Sequence, residues 1–107
     1  MVNIINSFAH GLEKPLILWL LSHGPRHGYE LIKEFRKLTG QKLKPGTVYP
    51  FLHWLEDEDF AVSEWVKRRG RNLRCYRLTE KGESMLTKLR DLFNKPIKEL
   101  ITDLLGE

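Results

Sequence analysis

A cluster of basic side chains between residues 60 and 82 is the strongest chemical signal in the sequence. This stretch carries seven Lys or Arg against two Asp or Glu, whereas residues 1–59 carry seven of each and residues 83–107 carry four against five. Cationic side chains neutralise phosphates, which is the main source of sequence-independent affinity for DNA. The cluster therefore favours a polyanionic partner, double-stranded DNA before a membrane surface. The alternative is a solvated hairpin whose charges discourage edge pairing. The basic residues singled out are Lys67, Arg68, Arg69, Arg71 and Arg74.

The remaining chemistry-bearing residues form no recognisable catalytic or metal-binding pattern. His23 and His27 are four residues apart, but Gly24 and Pro25 between them prevent a shared helix face, and no tetrahedral ligand spacing results. The acidic run 56–59 lacks a positioned partner and is most simply a solvated helix end. No nucleophile–base arrangement and no phosphate-binding glycine loop is visible. We therefore expect no enzyme, no metal site and no cofactor.

Length and composition are those of one small globular domain. The 107 residues are 41% hydrophobic and 30% charged, and the single cysteine, Cys75, excludes an internal disulfide and is interpreted as a packing residue. The longest apolar run, Leu16–Leu21, is far shorter than the roughly 20 residues of a membrane span, and no signal peptide is recognisable. We therefore expect a cytoplasmic, nucleoid-associated protein without a membrane partner.

Hydrophobic periodicity predicts three helices ahead of the basic cluster. The first is a short buried helix that Pro15 opens and Gly24-Pro25 ends, with a further turn or helix N-terminal to it. The second runs from about Gly28 to Leu38. The third begins near Pro45–Thr47 and ends in the acidic run, with Pro50 in its first turn. Its core-facing residues are Val48, Leu52 and Leu55. The short connection between the last two helices is typical of a helix-turn-helix.

After residue 59 the pattern changes to that of a β-hairpin. Val62–Val66 and Leu73–Leu78 are rich in β-branched and aromatic residues, which favours two strands. The connection Lys67–Asn72 forms a cationic tip, in which Gly70 and Asn72 can take positive φ.

A final helix follows, which Thr79 caps and which Pro96 kinks or splits. One apolar stripe runs through both halves of this helix and needs a surface to cover it. A second copy of the chain is the natural candidate for that surface. The stripe comprises Leu86, Leu89, Phe93, Ile97, Leu100, Ile101 and Leu104.

These blocks resemble a known family, the PadR-like transcriptional regulators. The resemblance covers roughly residues 12–93 and rests on Leu20–Lys33, Pro45–Pro50, Leu52–Leu55, Ser63–Trp65 and Tyr76–Gly82, in family order and spacing. It implies a mainly α fold with a small β-hairpin. In this fold a winged helix-turn-helix DNA-binding domain spans residues 1–82, with an N-terminal extension over 1–12, and a C-terminal dimerisation helix spans residues 83–107. It also implies a homodimer held by the first and last helices.

The outward face of the third helix and its neighbours supply further DNA-binding candidates. The hydroxyls of Thr47 and Tyr49 can donate to phosphate and His53 can reach a base edge, whereas a helix cap and partial packing are the alternatives for Thr47 and Tyr49. For Tyr29 the resemblance implies a phosphate contact, with packing as the alternative. The full set outside the hairpin is Tyr29, Lys44, Thr47, Tyr49, Pro50, His53 and Trp54.

Three residues depart from the family pattern. Phe51 and Trp54 stand where the family commonly has a small or basic residue, and as exposed aromatics they would anchor a partner in a winged-helix interaction module that does not bind DNA. Asp59 stands where a glycine usually closes the third helix. Because aspartate tolerates the left-handed conformation, we expect the turn to form.

The resemblance also implies a small hydrophobic or aromatic effector near the dimer interface. Phe8, Trp19 and Phe93 could line its pocket, with filling of the core and the interface as the alternative. The resulting hypothesis is a homodimeric, sequence-specific regulator of transcription, a repressor, that acts on a palindromic operator. The alternatives are a winged-helix interaction module and a nonspecific DNA-coating protein.

Overall fold

The computed structural model describes the backbone of residues 2–106 and the side chains of residues 10–95 and 97–106. One hydrophobic core lies between the first four helices and a two-stranded antiparallel sheet, so the predicted class, mainly α with a small β-hairpin, is confirmed. The elements in chain order are α1 (Val2–Ser22), α2 (Gly28–Thr39), α3 (Pro45–Asp57), β1 (Ala61–Arg68), β2 (Arg71–Leu78), α4 (Glu80–Leu92), a π-helical turn (Phe93–Ile97) and α5 (Lys98–Leu104).

Helix α1 is continuous through Pro15, so the predicted short helix opened by this proline is wrong. A proline inside a helix removes one backbone hydrogen bond, here the bond to the carbonyl of Gly11, and costs about 3 kcal/mol. The C-terminal half of α1 offsets this cost because Ile17, Leu18 and Leu21 are buried in the core.

Helix α2 begins with a reciprocal cap at His27. The imidazole Nδ1 accepts a hydrogen bond from the Glu30 N–H at 3.3 Å, and the Glu30 carboxylate accepts one from the His27 N–H at 3.2 Å. At the other end Gly40, with φ of 74°, closes the helix in the left-handed region. The two caps therefore fix the residues at which α2 begins and ends.

Helix α3 has the predicted core face, since Val48, Leu52 and Leu55 are fully buried. Pro50 is the sixth residue of the helix and not part of its first turn, which corrects that prediction. The proline removes the bond to the carbonyl of Gly46, an exposed residue that water can reach. The helix continues past the missing bond because burial of Val48, Leu52 and Leu55 stabilises it.

The turn after α3 is closed by Asp59 with φ of 63°, as predicted. The N–H of Phe60 donates to the Leu55 carbonyl at 2.8 Å, and the hydroxyl of Thr79 donates to the Asp59 carbonyl at 2.6 Å. These bonds attach the end of α3 to the start of β1 and to the start of α4.

The hairpin of β1 and β2, called the wing below, has longer strands than predicted. The predicted loop Lys67–Asn72 contracts to a two-residue turn at Arg69 and Gly70, whose φ values are 51° and 76°. Asn72 lies in β2 and does not take positive φ, which corrects that prediction. Two consecutive left-handed residues match the twist of a tight hairpin.

The segment between α1 and α2 attaches the wing to the helices. Arg26 and Tyr76 exchange two backbone hydrogen bonds, of 3.0 Å and 2.8 Å, and form an antiparallel bridge beside β2. The Arg26 Nε also donates to the Glu34 carboxylate of α2 at 2.8 Å. The position of the wing relative to α2 is thus set by backbone and side-chain bonds together.

Helix α4 is capped by Thr79 as predicted, since its hydroxyl accepts from the Gly82 N–H at 3.1 Å. A Cβ atom on Gly82 would lie 2.1 Å from the carbonyl oxygen of Phe60, so only glycine fits there. Leu86 is only 4% exposed and lies in the core of its own chain. Most of its surface is therefore used within its own chain, and its contact with a second copy stays a prediction.

The π-helical turn confirms that the C-terminal helix splits around Pro96. Helix α5 contains no buried residue, and Leu100 and Leu104 are 70% and 79% exposed. The division of the chain between residues 82 and 83 stays a prediction, and α4 begins before it, at Glu80.

Candidate nucleic-acid interface

A cleft of about 790 Å³, called the wing cleft below, lies between the wing and helices α2 and α3. It brings together seven of the twelve predicted DNA-binding residues, from three separate segments of the chain. These seven are Tyr29, Tyr49, His53, Arg68, Arg69, Arg71 and Arg74. The other lining residues are His27, Gly28, Trp65, Asn72, Leu73 and Tyr76.

Two tyrosines form the helical wall of the wing cleft. Tyr29 is 60% exposed and Tyr49 is 41% exposed, so neither is a packing residue alone. The Tyr49 ring lies directly over Gly28, because a Cβ built on this glycine would be 2.5 Å from Cε1 and 3.0 Å from the hydroxyl oxygen of Tyr49. The Lys33 Nζ lies 5.6 Å from the centroid of the Tyr29 ring. Both phenols can donate a hydrogen bond to a phosphate oxygen.

The wing arginines differ in how far their charge is already neutralised. Arg68 lies 3.5 Å from the Glu30 carboxylate, whereas Arg69 and Arg71 have no carboxylate within 4.0 Å among the side chains that the structure describes. Arg69 and Arg71 are therefore the residues of the cleft with the most charge to offer an anion.

Arg74 belongs to a clamp that joins the wing to α3. Its guanidinium donates to Glu56 at 2.8 Å and to the Ser63 hydroxyl at 2.9 Å. The Glu56 carboxylate also accepts from the Ser63 hydroxyl at 2.7 Å and from the Ser63 N–H at 3.1 Å. The Ser63 hydroxyl, and after it the Arg74 charge, lower the pKa of Glu56, although burial acts in the opposite direction. We call Glu56, Ser63 and Arg74 the α3–wing clamp.

The clamp changes the interpretation of two residues. Glu56 was expected to be solvated without a partner. This is wrong because its carboxylate accepts bonds from Ser63 and Arg74, which lie seven and eighteen residues further along the chain. Arg74 was expected to support the basic tip, yet a carboxylate already neutralises much of its charge. Its main contribution is to hold the wing beside α3.

Trp65 lines the wing cleft but is not among the residues predicted from the sequence. It is 68% exposed, lines the wing cleft and lies opposite Arg74 in the strand register. The Arg74 guanidinium carbon is 5.9 Å from the Trp65 ring centroid and 5.7 Å from that of Tyr76. The strand pattern alone could have indicated an exposed tryptophan, but only the register places it in the cleft.

Three predicted DNA-binding residues of α3 lie outside the wing cleft. Thr47, Pro50 and Trp54 line an apolar groove of about 660 Å³ that also includes residues of α1 and α4. Thr47 is not a helix cap either, since the N-cap is Lys44. Phe51 is only 8% exposed and stacks on Trp54 with 6.1 Å between ring centroids, so its interpretation as an exposed partner anchor is wrong.

Two lysines complete the predicted set. Lys44 precedes α3, and its carbonyl accepts from the N–H groups of Thr47 and Val48 while its side chain makes no cap bond. Lys67 lies exposed on β1. Neither lines the wing cleft, so their contacts with phosphate stay a prediction.

The predicted effector pocket is partly assembled in a single chain. Trp19 and Phe93 line a cavity of about 250 Å³ together with Leu89, whereas the side chain of Phe8 lies outside the described residues.

The rest of the predicted dimer stripe is less buried towards the C-terminus. Phe93, Ile97 and Ile101 are half-buried, and Leu100 and Leu104 are exposed.

Other chemistry is not indicated. In the described part of the chain, no three His, Cys, Asp or Glu residues lie close enough to hold a metal ion. Cys75 is buried, and this burial raises the pKa of its thiol. No helix in the described range 2–106 is both long enough and apolar enough to cross a bilayer.

The comparisons with known proteins agree with this geometry. The family model described as "Transcriptional regulator PadR-like family" matches residues 17–88, which include the helix-turn-helix and the wing. Transcriptional regulator Rv3488 of Mycobacterium tuberculosis is 36% identical over 88 residues, which are 82% of this chain and 67% of that protein. Transcriptional activator GvpE of Haloferax mediterranei is 39% identical over 59 residues, 54% of this chain and 31% of that protein.

A solved structure of a PadR family regulator has a similar fold. The PadR family transcription regulator from Clostridium difficile R20291 superposes with a TM-score of 0.76 at 26% identity, covering 89% of this chain and 99% of that one. The winged helix-turn-helix fold is therefore confirmed. The chain spans about two thirds of the length of Rv3488 and about one third of the length of GvpE.

Proposed function

This chain belongs to the PadR-like family of transcriptional regulators, and we propose that it binds duplex DNA through the wing cleft, as a homodimer on a palindromic operator. The observation that supports this proposal is the convergence of α2, α3 and the wing on one concave cationic surface. The family is one of regulators, so we expect no catalysed reaction. A DNA partner would place the protein with the nucleoid in the cytoplasm.

Two kinds of contact would form on the duplex. In a winged helix-turn-helix the second helix of the motif, here α3, enters the major groove and the wing reaches an adjacent minor groove. Arg69 and Arg71 then neutralise phosphates or enter the minor groove, which supplies affinity. Tyr29 and Tyr49 bond phosphates and set the register, while His53 faces the base edges and contributes to the choice of sequence.

Selection from a random pool of short duplexes across a salt series tests the proposal. We expect recovery of a palindrome and a steep decrease of affinity with salt. Salt-sensitive binding without enrichment would indicate a nonspecific DNA-coating protein. Absence of binding at low salt would refute DNA binding and favour an interaction module, in which Trp54→Ala, and not loss of the wing charges, abolishes partner binding.

The wing charges are tested by changing Arg69 and Arg71 to alanine together. Each phosphate contact contributes about 0.9 to the slope of log affinity against log salt. If each arginine contacts one phosphate in each of two copies, the slope falls by about 3.6. Arg77→Ala is the matched control, because Arg77 is exposed on β2 but does not line the cleft. The control removes one charge per copy where the test variant removes two, so a decrease of about 1.8 in the control slope would show that net charge alone controls binding.

The homodimer is proposed to form through the C-terminal part of the chain. Leu100 and Leu104 are the most exposed apolar residues of the predicted stripe, and Ile97 and Ile101 lie beside them half-buried. Changing Leu100 and Leu104 together to aspartate should give monomers by light scattering, because two charges would have to be buried in the contact. A double variant that stays dimeric would place the interface elsewhere.

An effector would act through the cavity of Trp19 and Phe93. This cavity joins α1 to the end of α4, next to the proposed dimer contact, so a hydrophobic or aromatic molecule there could change the spacing of the two α3 helices. Screening of aromatic compounds by the fluorescence of a variant carrying Trp54→Phe and Trp65→Phe, so that Trp19 alone reports, tests this regulation, with release of duplex from the wild type as the second readout. Compounds that change the fluorescence but never duplex affinity would contradict it.

Repression is the proposed direction of regulation. It follows from the family resemblance, while the matched relative GvpE is an activator. A reporter gene placed behind the selected operator distinguishes the two directions. Expression that falls when the protein is supplied supports repression, and expression that rises refutes it.

A further inference from the structure

Gly28 of α2 lies beneath the ring of Tyr49 of α3 on the wall of the wing cleft. Gly28 is the first residue of α2 and is buried. A Cβ atom at this position would lie 2.5 Å, 2.7 Å and 3.0 Å from the Cε1, Cζ and hydroxyl oxygen of Tyr49. The hydroxyl end of the ring, and not its base, therefore covers the glycine.

This glycine is not required by its backbone conformation. Its φ lies outside the left-handed region, unlike the φ of Gly40 or Gly70, so any residue could adopt its backbone geometry. What excludes a side chain is the Tyr49 ring alone, since no other atom lies as close to the added Cβ. The space beside Gly28 is thus occupied by the Tyr49 side chain, which faces the cleft.

The ring is the part that has to move if a side chain is added. Helix α2 is held by the His27 cap and by the bonds of Arg26 to Tyr76 and Glu34. Ordinary contact of a Cβ begins near 3.4 Å, so alanine at position 28 displaces the ring by about 1 Å. The Tyr49 side chain is 41% exposed and can turn away towards solvent.

We propose that Gly28 is a positioning residue for DNA recognition: the missing side chain seats the Tyr49 ring against the first turn of α2 and directs its hydroxyl into the wing cleft. The inference rests on the proposed function, because the hydroxyl serves a phosphate only if the cleft binds a duplex. Gly28 thereby contributes to binding although it has no side chain that could contact DNA.

The position of the ring is tested without DNA. Biosynthetic labelling with 3-fluorotyrosine gives one ¹⁹F resonance for each of the three tyrosines, which single Tyr→Phe variants assign. Gly28→Ala should shift the Tyr49 resonance more than those of Tyr29 and Tyr76. Gly11→Ala is the control, because a Cβ there meets nothing within 4 Å. An unchanged Tyr49 resonance in Gly28→Ala would overturn the proposal.

The effect on binding is tested by a double-mutant cycle on the selected duplex. Gly28→Ala should weaken binding roughly tenfold for each copy that contacts the duplex, or about a hundredfold for the homodimer, which is the loss expected when one hydrogen bond to a charged phosphate is removed from each copy. In a Tyr49→Ala background the same change should have no further effect, because the smaller side chain leaves room for the Cβ. A loss of the same size that persists without the Tyr49 ring would overturn the proposal.

Thermal unfolding of each variant separates positioning from folding. Gly28→Ala and Gly28→Ser should unfold within a few degrees of the wild type while binding weakly. Strong binding by both folded variants would contradict the role of Gly28 even though the protein binds DNA. A wild type that binds no duplex would refute the proposed function instead, and the ¹⁹F shift would still decide how the ring is seated.

Discussion

The α3–wing clamp predicts a specific loss of stability when Glu56 is replaced by glutamine. Glu56 accepts three hydrogen bonds from Ser63 and Arg74, with distances of 2.7 to 3.1 Å. Glutamine has nearly the same shape but carries no charge, and its NH₂ group cannot accept a bond from either partner. The substitution therefore removes the electrostatic part of the clamp without leaving a cavity.

The size of the expected stability loss follows from how exposed the Glu56 and Arg74 side chains are. The side chains of Glu56 and Arg74 are 28% and 42% exposed, so their ion pair contributes at most about 1 kcal/mol. The two bonds from Ser63 to the charged carboxylate add about 1 kcal/mol more after the same discount. We expect Glu56→Gln to lower the free energy of unfolding by about 1–2 kcal/mol, or the melting temperature by about 5–10 °C for a domain near 100 residues.

The loss of stability in Glu56→Gln should depend on pH. The pKa of Glu56 is lowered from its ordinary value of 4.5, so its stabilisation is complete above that value and disappears as the pH falls through the lower folded pKa. The difference in melting temperature between wild type and Glu56→Gln should be constant from pH 7 to about 5 and should shrink at lower pH. Differential scanning fluorimetry across this range measures it.

Asp57→Asn is the control for this experiment. Asp57 is the adjacent residue, is exposed, and makes no hydrogen bond or ion pair to any side chain that the structure describes. It should unfold within about 0.5 kcal/mol of the wild type. The reasoning is refuted if both variants lose the same stability, or if the deficit of Glu56→Gln does not change with pH.

Three further predictions concern the backbone and the cysteine. Gly82→Ala should destabilise the fold by more than about 2 kcal/mol because the added Cβ meets the Phe60 carbonyl at 2.1 Å, whereas Gly11→Ala, in open space, should be neutral or stabilising; urea unfolding compares them. Asp59→Gly should raise the free energy of unfolding by about 0.5–1 kcal/mol because φ at this position is 63°, and an unchanged melting temperature would show that aspartate is unstrained there. Cys75 should react with an aromatic disulfide reagent far more slowly in the folded protein than in urea at pH 8, since burial raises its pKa; equal rates would contradict its burial.

Local patterns predicted the parts of the fold that depend on local interactions. The core stripe of Val48, Leu52 and Leu55, the Thr79 cap and the left-handed Asp59 all follow from residue type and spacing, and all are confirmed. These features arise within one or two turns of chain, where side-chain period and capping chemistry decide the conformation.

Features that depend on tertiary packing were not predictable in the same way. Pro15 and Pro50 lie inside helices because burial of the neighbouring apolar residues outweighs one missing hydrogen bond at each. The partners of Glu56 come from strands whose register only the folded hairpin defines. Trp65 enters the wing cleft for the same reason.

The π-helical turn determines which side of the C-terminal helix faces solvent. Leu86 and Leu100 are fourteen residues apart, nearly four turns, so an uninterrupted helix would put both on one side. One additional residue in a turn rotates all that follows by about 100°, and here Leu86 is 4% exposed while Leu100 is 70% exposed. Pro96→Ala would favour a regular α-helix through this segment, in which the fourteen-residue spacing would return Leu100 to the side of Leu86. One substitution would therefore change which apolar residues of the C-terminal helix face solvent, without altering those residues.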